Sequence, residues 1–271
     1  MSRPRKQFGQ HWLRSQKTLQ SIVQAADLTV GDRVLEIGPG QGALTQSLLQ
    51  TPAAVVAVEI DRDLCPPLVR QFGQNPQFLL LQGDILTLNL PDLIGAAQYP
   101  NKVVANIPYN ITGPILDRVL GTIALPTYPA FERLVLLVQK EVGQRITAKP
   151  GSRIYGSLSV HCQYLAECDW ICDVPAKAFD PPPKVDSAVI RLRPRPFPNP
   201  AKQPQWFTTL LRMGFQSRRK MLRNNFKSIV EPDRLTVILE QIQASPQARA
   251  EELSVSQWVD LSHILTPAPS S

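Results

Sequence analysis

A chain of 271 residues, 43% hydrophobic and carrying a net charge of +7, is long enough for one large domain plus a small one and has an ordinary globular composition. No stretch approaches the roughly 18 uninterrupted apolar residues of a membrane span. The basic start Met1-Ser2-Arg3-Pro4-Arg5-Lys6-Gln7 runs into no apolar secretion segment, so a cytoplasmic protein without a membrane partner is expected. Four cysteines (Cys65, Cys162, Cys168, Cys172) without C-x-x-C spacing, and only three histidines, argue against a metal site and read as reduced thiols.

In chain order, Thr18 to Ala26 has the apolar face of an amphipathic helix. Arg33–Ile37 reads as a strand, followed by a Gly-rich loop and a helix from Ala43 to about Gln50. Further strands are expected at 54–60, 78–81, 102–105 and 133–138, the last followed by a helix over 140–147. Alternating strands and helices imply a parallel sheet covered on both faces. Cys168–Val174 and Ser187–Leu192 read as two more strands. The Pro-rich segment between them is too short for a crossover helix, so they are expected to pair antiparallel. Pro194 to Pro204 holds five prolines and reads as a linker into a helical C-terminal part, which ends in the proline-containing tail 267–271.

The charge is segregated. Arg191 to Lys227 holds ten basic residues and no Asp or Glu, so the rest of the chain sums to −3. The first 17 residues are also acid-free. Two such segments point to a polyanion, with nucleic acid as the expected partner.

Two motifs carry chemistry. Glu36-Ile37-Gly38-Pro39-Gly40-Gln41-Gly42 lets backbone approach a ligand closely, but its spacing is not that of a pyrophosphate loop. Glu59 closes the second strand 21 residues after Gly38, where a carboxylate can accept hydrogen bonds from ribose hydroxyls. Asp84, after the third strand, can accept one from an adenine amine. An adenosine-containing ligand fits, and S-adenosylmethionine fits better than NAD because it has no pyrophosphate to seat. The second motif, Asn106-Ile107-Pro108-Tyr109, ends the fourth strand. An Asn side-chain oxygen and the Ile107 carbonyl can accept both hydrogens of a planar amine, Pro108 fixes the backbone, and Tyr109 offers a ring for a flat base.

Six blocks in order resemble the small-subunit ribosomal RNA adenine dimethyltransferase family, the KsgA type. They are Gln7-Phe8-Gly9-Gln10 with Leu13, Glu36 to Thr45, Asn106 to Tyr109, Arg153-Ile154-Tyr155-Gly156 with Leu158-Ser159-Val160, Phe179 to Ser187, and Arg218 to Asn225. The resemblance implies a Rossmann-like seven-stranded α/β methyltransferase sheet, mostly parallel with one antiparallel strand, over residues 1–198. A small all-α basic domain follows over 199–271. It implies S-adenosylmethionine held by His11, Leu13, Gly38, Gly40, Glu59, Asp84 and Asn106. A target adenine would be gripped by Asn106 and Ile107 and stacked between Tyr109 and Phe179. Arg218, Arg219, Lys220 and Arg223 would meet RNA phosphates from a basic helix. His11 stands where the family usually has Asn. The implied reaction is N6,N6-dimethylation of two adjacent adenosines in a hairpin loop near the 3′ end of small-subunit rRNA. The protein would act as a monomer on a pre-ribosomal small subunit and contribute to its biogenesis. A large-subunit N6-methyltransferase of the resistance type, an assembly factor acting mainly by binding, and an NAD enzyme are the rival readings.

Overall fold

The computed structural model describes residues 10–95, 98–127 and 130–266. Arg3, Arg5, Lys6, the Gln7-Phe8-Gly9 part of the first motif and the tail 267–271 lie outside the described residues. The elements in chain order are β1 (Trp12–Leu13), α1 (Gln16–Ala26), β2 (Arg33–Ile37), α2 (Ala43–Leu48), β3 (Ala54–Glu59), α3 (Cys65–Phe72), β4 (Phe78–Gln82) and α4 (Leu90–Ile94). Then come β5 (Lys102–Asn106), α5 (Thr112–Leu120), β6 (Arg133–Gln139), α6 (Lys140–Thr147), α7 (Ser157–Leu165), β7 (Ala166–Val174), β8 (Phe179–Asp180) and β9 (Ser187–Pro194). Four helices follow: α8 (Pro204–Phe215), α9 (Leu222–Asn225), α10 (Pro232–Gln241) and α11 (Val255–Ile264).

The chain clusters into two units. The first takes 1–121, 127–143 and 168–194; the second takes 122–126, 144–167 and 195–271. The second unit is therefore not the contiguous piece 199–271 expected from the sequence. The reason is α7, which packs against α8 and α11.

The first unit is built on a seven-stranded sheet in the order β4-β3-β2-β5-β6-β9-β7. The strands β2 to β6 are mutually parallel, and β9 runs antiparallel to β6, pairing Leu134 with Leu192 through Gln139 with Ser187. The central strands are apolar on both faces because helices cover both, so Val34, Leu35, Val103, Val104, Leu134 and Leu136 are all buried. Strand order reverses between β2 and β5. The carboxyl ends of those two strands therefore diverge into a crevice, the usual ligand position in open α/β sheets.

A two-stranded ribbon joins β1 to β8, setting Trp12 opposite Asp180 and Leu13 opposite Phe179. Ser15 caps α1 by accepting from the Thr18 backbone N–H. The core beneath α1 contains Leu19, Ile22, Val34, Val104 and Val135, and it includes Leu13 and Phe179 from the ribbon. The ribbon thereby anchors the start of the described chain.

In the second unit the last turn of α8 carries a glycine because a ring lies on it. A Cβ at Gly214 would clash with Trp258 Cη2. Trp258 is fully buried and donates from Nε1 to the Ala250 carbonyl at 3.3 Å, so it has little room to retreat. Gly214→Ala is expected to destabilise the protein by roughly 1–3 kcal/mol through overpacking. Urea unfolding checks this; an unchanged midpoint would contradict the close approach.

Candidate active site

The crevice at the β2/β5 divide is a cleft of about 260 Å³. Gln10, His11, Trp12, Gly38, Gly40, Glu59, Ile60, Asp84, Leu86 and the segment Asn106–Ile111 line it. A smaller recess of about 30 Å³ adjoins it and shares Trp12, Gly38, Gly40 and Asn106; Leu13 and Glu36 help to close it. His11, Leu13, Gly38, Gly40, Glu59, Asp84 and Asn106 thus all line one of two neighbouring spaces, although they come from five separate places in the sequence.

The Gly loop leaves β2 with Gly38, Gly40 and Gly42 all at positive φ. Its shape is fixed from β3. Glu59 Oε2 accepts the Gly40 N–H at 3.1 Å, and Oε1 accepts the Asp61 N–H at 2.8 Å. Glu59 is 3% exposed, and burial raises its pKa. Asp61 in turn accepts from Gln10 Nε2 at 2.9 Å, tying the N-terminal segment to the crevice. Asp84 follows β4 and accepts from the Leu86 N–H at 2.9 Å. Two apolar side chains, Ile60 and Leu86, stand just beyond these acids; Ile60 is 48% exposed although it lines the cleft.

Asn106 is the last residue of β5. Its Nδ2 donates to the His11 carbonyl at 3.0 Å, so Oδ1 is the group left to accept from a ligand. Ile107 donates its N–H to the Leu137 carbonyl at 3.1 Å and is 1% exposed, which pins the strand end against β6. The Tyr109 hydroxyl lies 2.6 Å from Ser187 Oγ at the start of β9, and burial raises the phenol pKa. The Asn106–Tyr109 and Phe179–Ser187 blocks therefore meet through this contact.

Two expected roles meet a different geometry. His11 contributes its backbone carbonyl to Asn106, while its ring nitrogen Nδ1 lies 2.8 Å from the Pro181 carbonyl. The His11 ring stacks on Tyr109, with centroids 5.9 Å apart and planes 19° apart. Phe179, expected opposite Tyr109, is instead 4% exposed and packed in the core. It sits on β8 opposite Leu13 and packs with it in the same core cluster. The ring facing Tyr109 is that of His11.

The basic residues also sort differently from their order in the chain. Arg191 donates from Nη2 to Asp169 at 2.9 Å, and Arg193 lies 3.4 Å from the same carboxylate. Within the second unit Arg195 lies 3.7 Å from Glu167. Part of the acid-free run is thus neutralised by a neighbouring strand. Arg218, Arg219 and Lys220 sit on the turn between α8 and α9, not on a basic helix; only Leu222–Asn225 is helical there. Arg218 reaches back to the carbonyls of Arg153 and Tyr155, the latter at 2.9 Å, and so braces that loop. Arg219, Lys220 and Arg223 are exposed.

Sequence reading missed Trp12, Ile60 and Leu86 as lining residues. The signal for the last two was present: each is an apolar side chain directly past, or two beyond, a strand-end acid.

A family model described as ribosomal RNA adenine dimethylase matches residues 1–267. A Trichormus variabilis protein described as ribosomal RNA small subunit methyltransferase A is 58% identical over 268 residues, 98% of this chain and 99% of that one. A protein of the same description from Rippkaea orientalis is 58% identical over 270 residues, 98% of each chain. Among solved structures, a dimethyladenosine transferase from Plasmodium falciparum superposes with a TM-score of 0.77 at 25% identity, covering 93% of this chain and 96% of that one. The 23S rRNA methyltransferase ErmE gives 0.75 at 27% identity, covering 94% and 100%. With a full-length family match, relatives above half identity and a crevice that gathers the family's motif residues, this chain belongs to the ribosomal RNA adenine dimethylase family.

Proposed function

We propose that this protein dimethylates the N6 amines of two adjacent adenosines in a hairpin loop near the 3′ end of small-subunit rRNA, using S-adenosylmethionine. The observation that carries the reading is the Asn106 amide, locked by the His11 carbonyl at a strand end whose cleft also holds Glu59 and Asp84.

The residues fit the methyl donor. Glu59 retains lone pairs for ribose hydroxyls, Asp84 can accept from an adenine amine, and Ile60 and Leu86 offer apolar surface for the adenine ring. At the other end a buried acceptor, Glu36 Oε1, has no partner among the described residues. An ammonium group there would supply one. When bound, S-adenosylmethionine brings a methyl group already activated by its sulfonium charge.

The protein's part is then positioning. Asn106 Oδ1 and the Ile107 carbonyl accept the two N6 hydrogens and draw the nitrogen lone pair out of conjugation, towards the methyl. Tyr109, held by Ser187, supports the base. No strong base is needed, because the amine becomes acidic only once it is methylated, and water takes the proton. A monomethylated amine keeps one hydrogen, so a single acceptor orients the second transfer.

An adenine reaches such a crevice only out of its stack, which costs least in a loop. Arg219, Lys220 and Arg223 serve RNA phosphates on the second unit, and Arg218 holds its loop. The protein works as a monomer in the cytoplasm on a pre-ribosomal small subunit. Neutralising Arg219 and Lys220 is expected to weaken RNA binding and to make its dependence on log salt shallower by roughly 1–2 units. Titrations at several salt concentrations check this; an unchanged slope contradicts phosphate contact.

The function itself is tested by incubating small and large subunits that lack adenine methylation with labelled methyl donor, then mapping methyl groups in both RNAs by mass spectrometry. Two dimethyladenosines in small-subunit RNA are expected. Label confined to large-subunit RNA would favour the reading suggested by the likeness to ErmE.

A further inference from the structure

The recess beside the Gly loop contains two unpartnered polar atoms of opposite kind. One is the Glu36 acceptor. The other is a donor, Trp12 Nε1, which is shut away from solvent and has no partner among the described residues. Both side chains line the same space of about 30 Å³, which shares Trp12, Gly38, Gly40 and Asn106 with the larger cleft. The indole lies flush on the Gly loop. A Cβ at Gly40 would stand 3.0 Å from Trp12 Cδ1 and 3.2 Å from Nε1.

Several other donors at the recess are committed. The Gly38 N–H goes to the Val58 carbonyl at 2.9 Å, that of Gly40 to Glu59, and that of Gly42 to the Pro39 carbonyl at 2.9 Å. Asn106 Nδ2 goes to His11. The Arg14 guanidinium donates to Gln41 Oε1 at 2.8 Å and lies 3.6 Å from Asp180. A buried donor left without a partner is costly, so a site that keeps one has an acceptor in store for it.

We propose that Trp12 Nε1–H donates to the carboxylate at the amino-acid end of the cofactor, across the recess from Glu36. This rests on the S-adenosylmethionine reading above. An α-amino acid ends in one carboxylate, an acceptor for Trp12 Nε1–H, and one ammonium, beside which the Glu36 carboxyl gives up its proton. The β1 strand then has a ligand-binding task besides anchoring the chain, because its pairing with β8 holds the indole over Gly40.

Calorimetry with two probes tests the proposal. S-adenosylhomocysteine carries the amino-acid end, and 5′-methylthioadenosine lacks it. Trp12→Phe, which keeps a ring and removes the donor, is expected to weaken binding of the first about tenfold and to leave the second within twofold. Equal losses for both probes, or no loss for either, overturn it. A wild-type protein that binds neither probe instead defeats the cofactor reading. Should the variant not fold, wild-type protein with indole-15N labelling decides the matter. One of its four tryptophan side-chain signals should shift with S-adenosylhomocysteine and not with methylthioadenosine. Four unmoved signals overturn the proposal.

Discussion

Asn106→Ala is expected to slow methyl transfer at saturating cofactor by roughly 30- to 1000-fold, about 2–4 kcal/mol of barrier. The size follows from what the amide does. Its Nδ2 is fixed at 3.0 Å on the His11 carbonyl, so Oδ1 is held in place before substrate arrives. An acceptor fixed in advance is worth more than a mobile one, since no reorganisation accompanies the transfer. Asn106→Asp separates grip from orientation. It keeps an acceptor but loses the donor to His11 and sets a carboxylate against that carbonyl, so it too is expected to be slow. Single-turnover rates with saturating cofactor measure both variants. Wild-type rates in the alanine variant would remove the basis for amine gripping.

The unliganded protein is expected to lose stability as pH rises from about 5 to about 8, and Glu36→Gln to flatten that loss. Burial pushes the Glu36 carboxyl from its usual 4.5 up to about 8. The folded state therefore keeps a proton that the unfolded chain releases once pH passes 4.5. Stability from this group is complete below that value and is lost as pH rises towards 8. The ceiling is on the order of 4 kcal/mol, several degrees in melting temperature. Glu59, also raised by burial, acts in the same direction. Glutamine at 36 retains an acceptor for Thr45 Oγ1, which now donates at 2.7 Å to Glu36 Oε2, and it has no proton to lose. Melting curves across this range decide: an equally steep decline with Gln at 36 assigns the effect elsewhere.

The sheet was legible in the sequence because its strands are covered on both faces and read as unbroken apolar runs. Arg33–Ile37 and the antiparallel strand starting at Ser187 have the expected boundaries or nearly so. The ribbon of β1 and β8 was not legible, since two residues carry no period. Helix α3 was not anticipated; its Pro66 and Pro67 sit in the first turn, where a missing N–H costs nothing. In the candidate site, the strand-end acids and Asn106 were readable from spacing. The stacking role of Phe179 came from the family resemblance alone; pairing with Leu13 buries the ring in the core. The basic run misled for a related reason. Linear order does not show that Asp169 stands beside Arg191 and Arg193.

The Asn106 corner is held together by residues far apart in synthesis. His11 supplies one clamp, Pro181 seats the His11 ring and Ser187 fixes Tyr109. The parallel strands are all translated before residue 140, yet the corner has its full set of braces only after Ser187 has been made. A nascent chain could thus collapse early while staying chemically silent, becoming competent only late in translation.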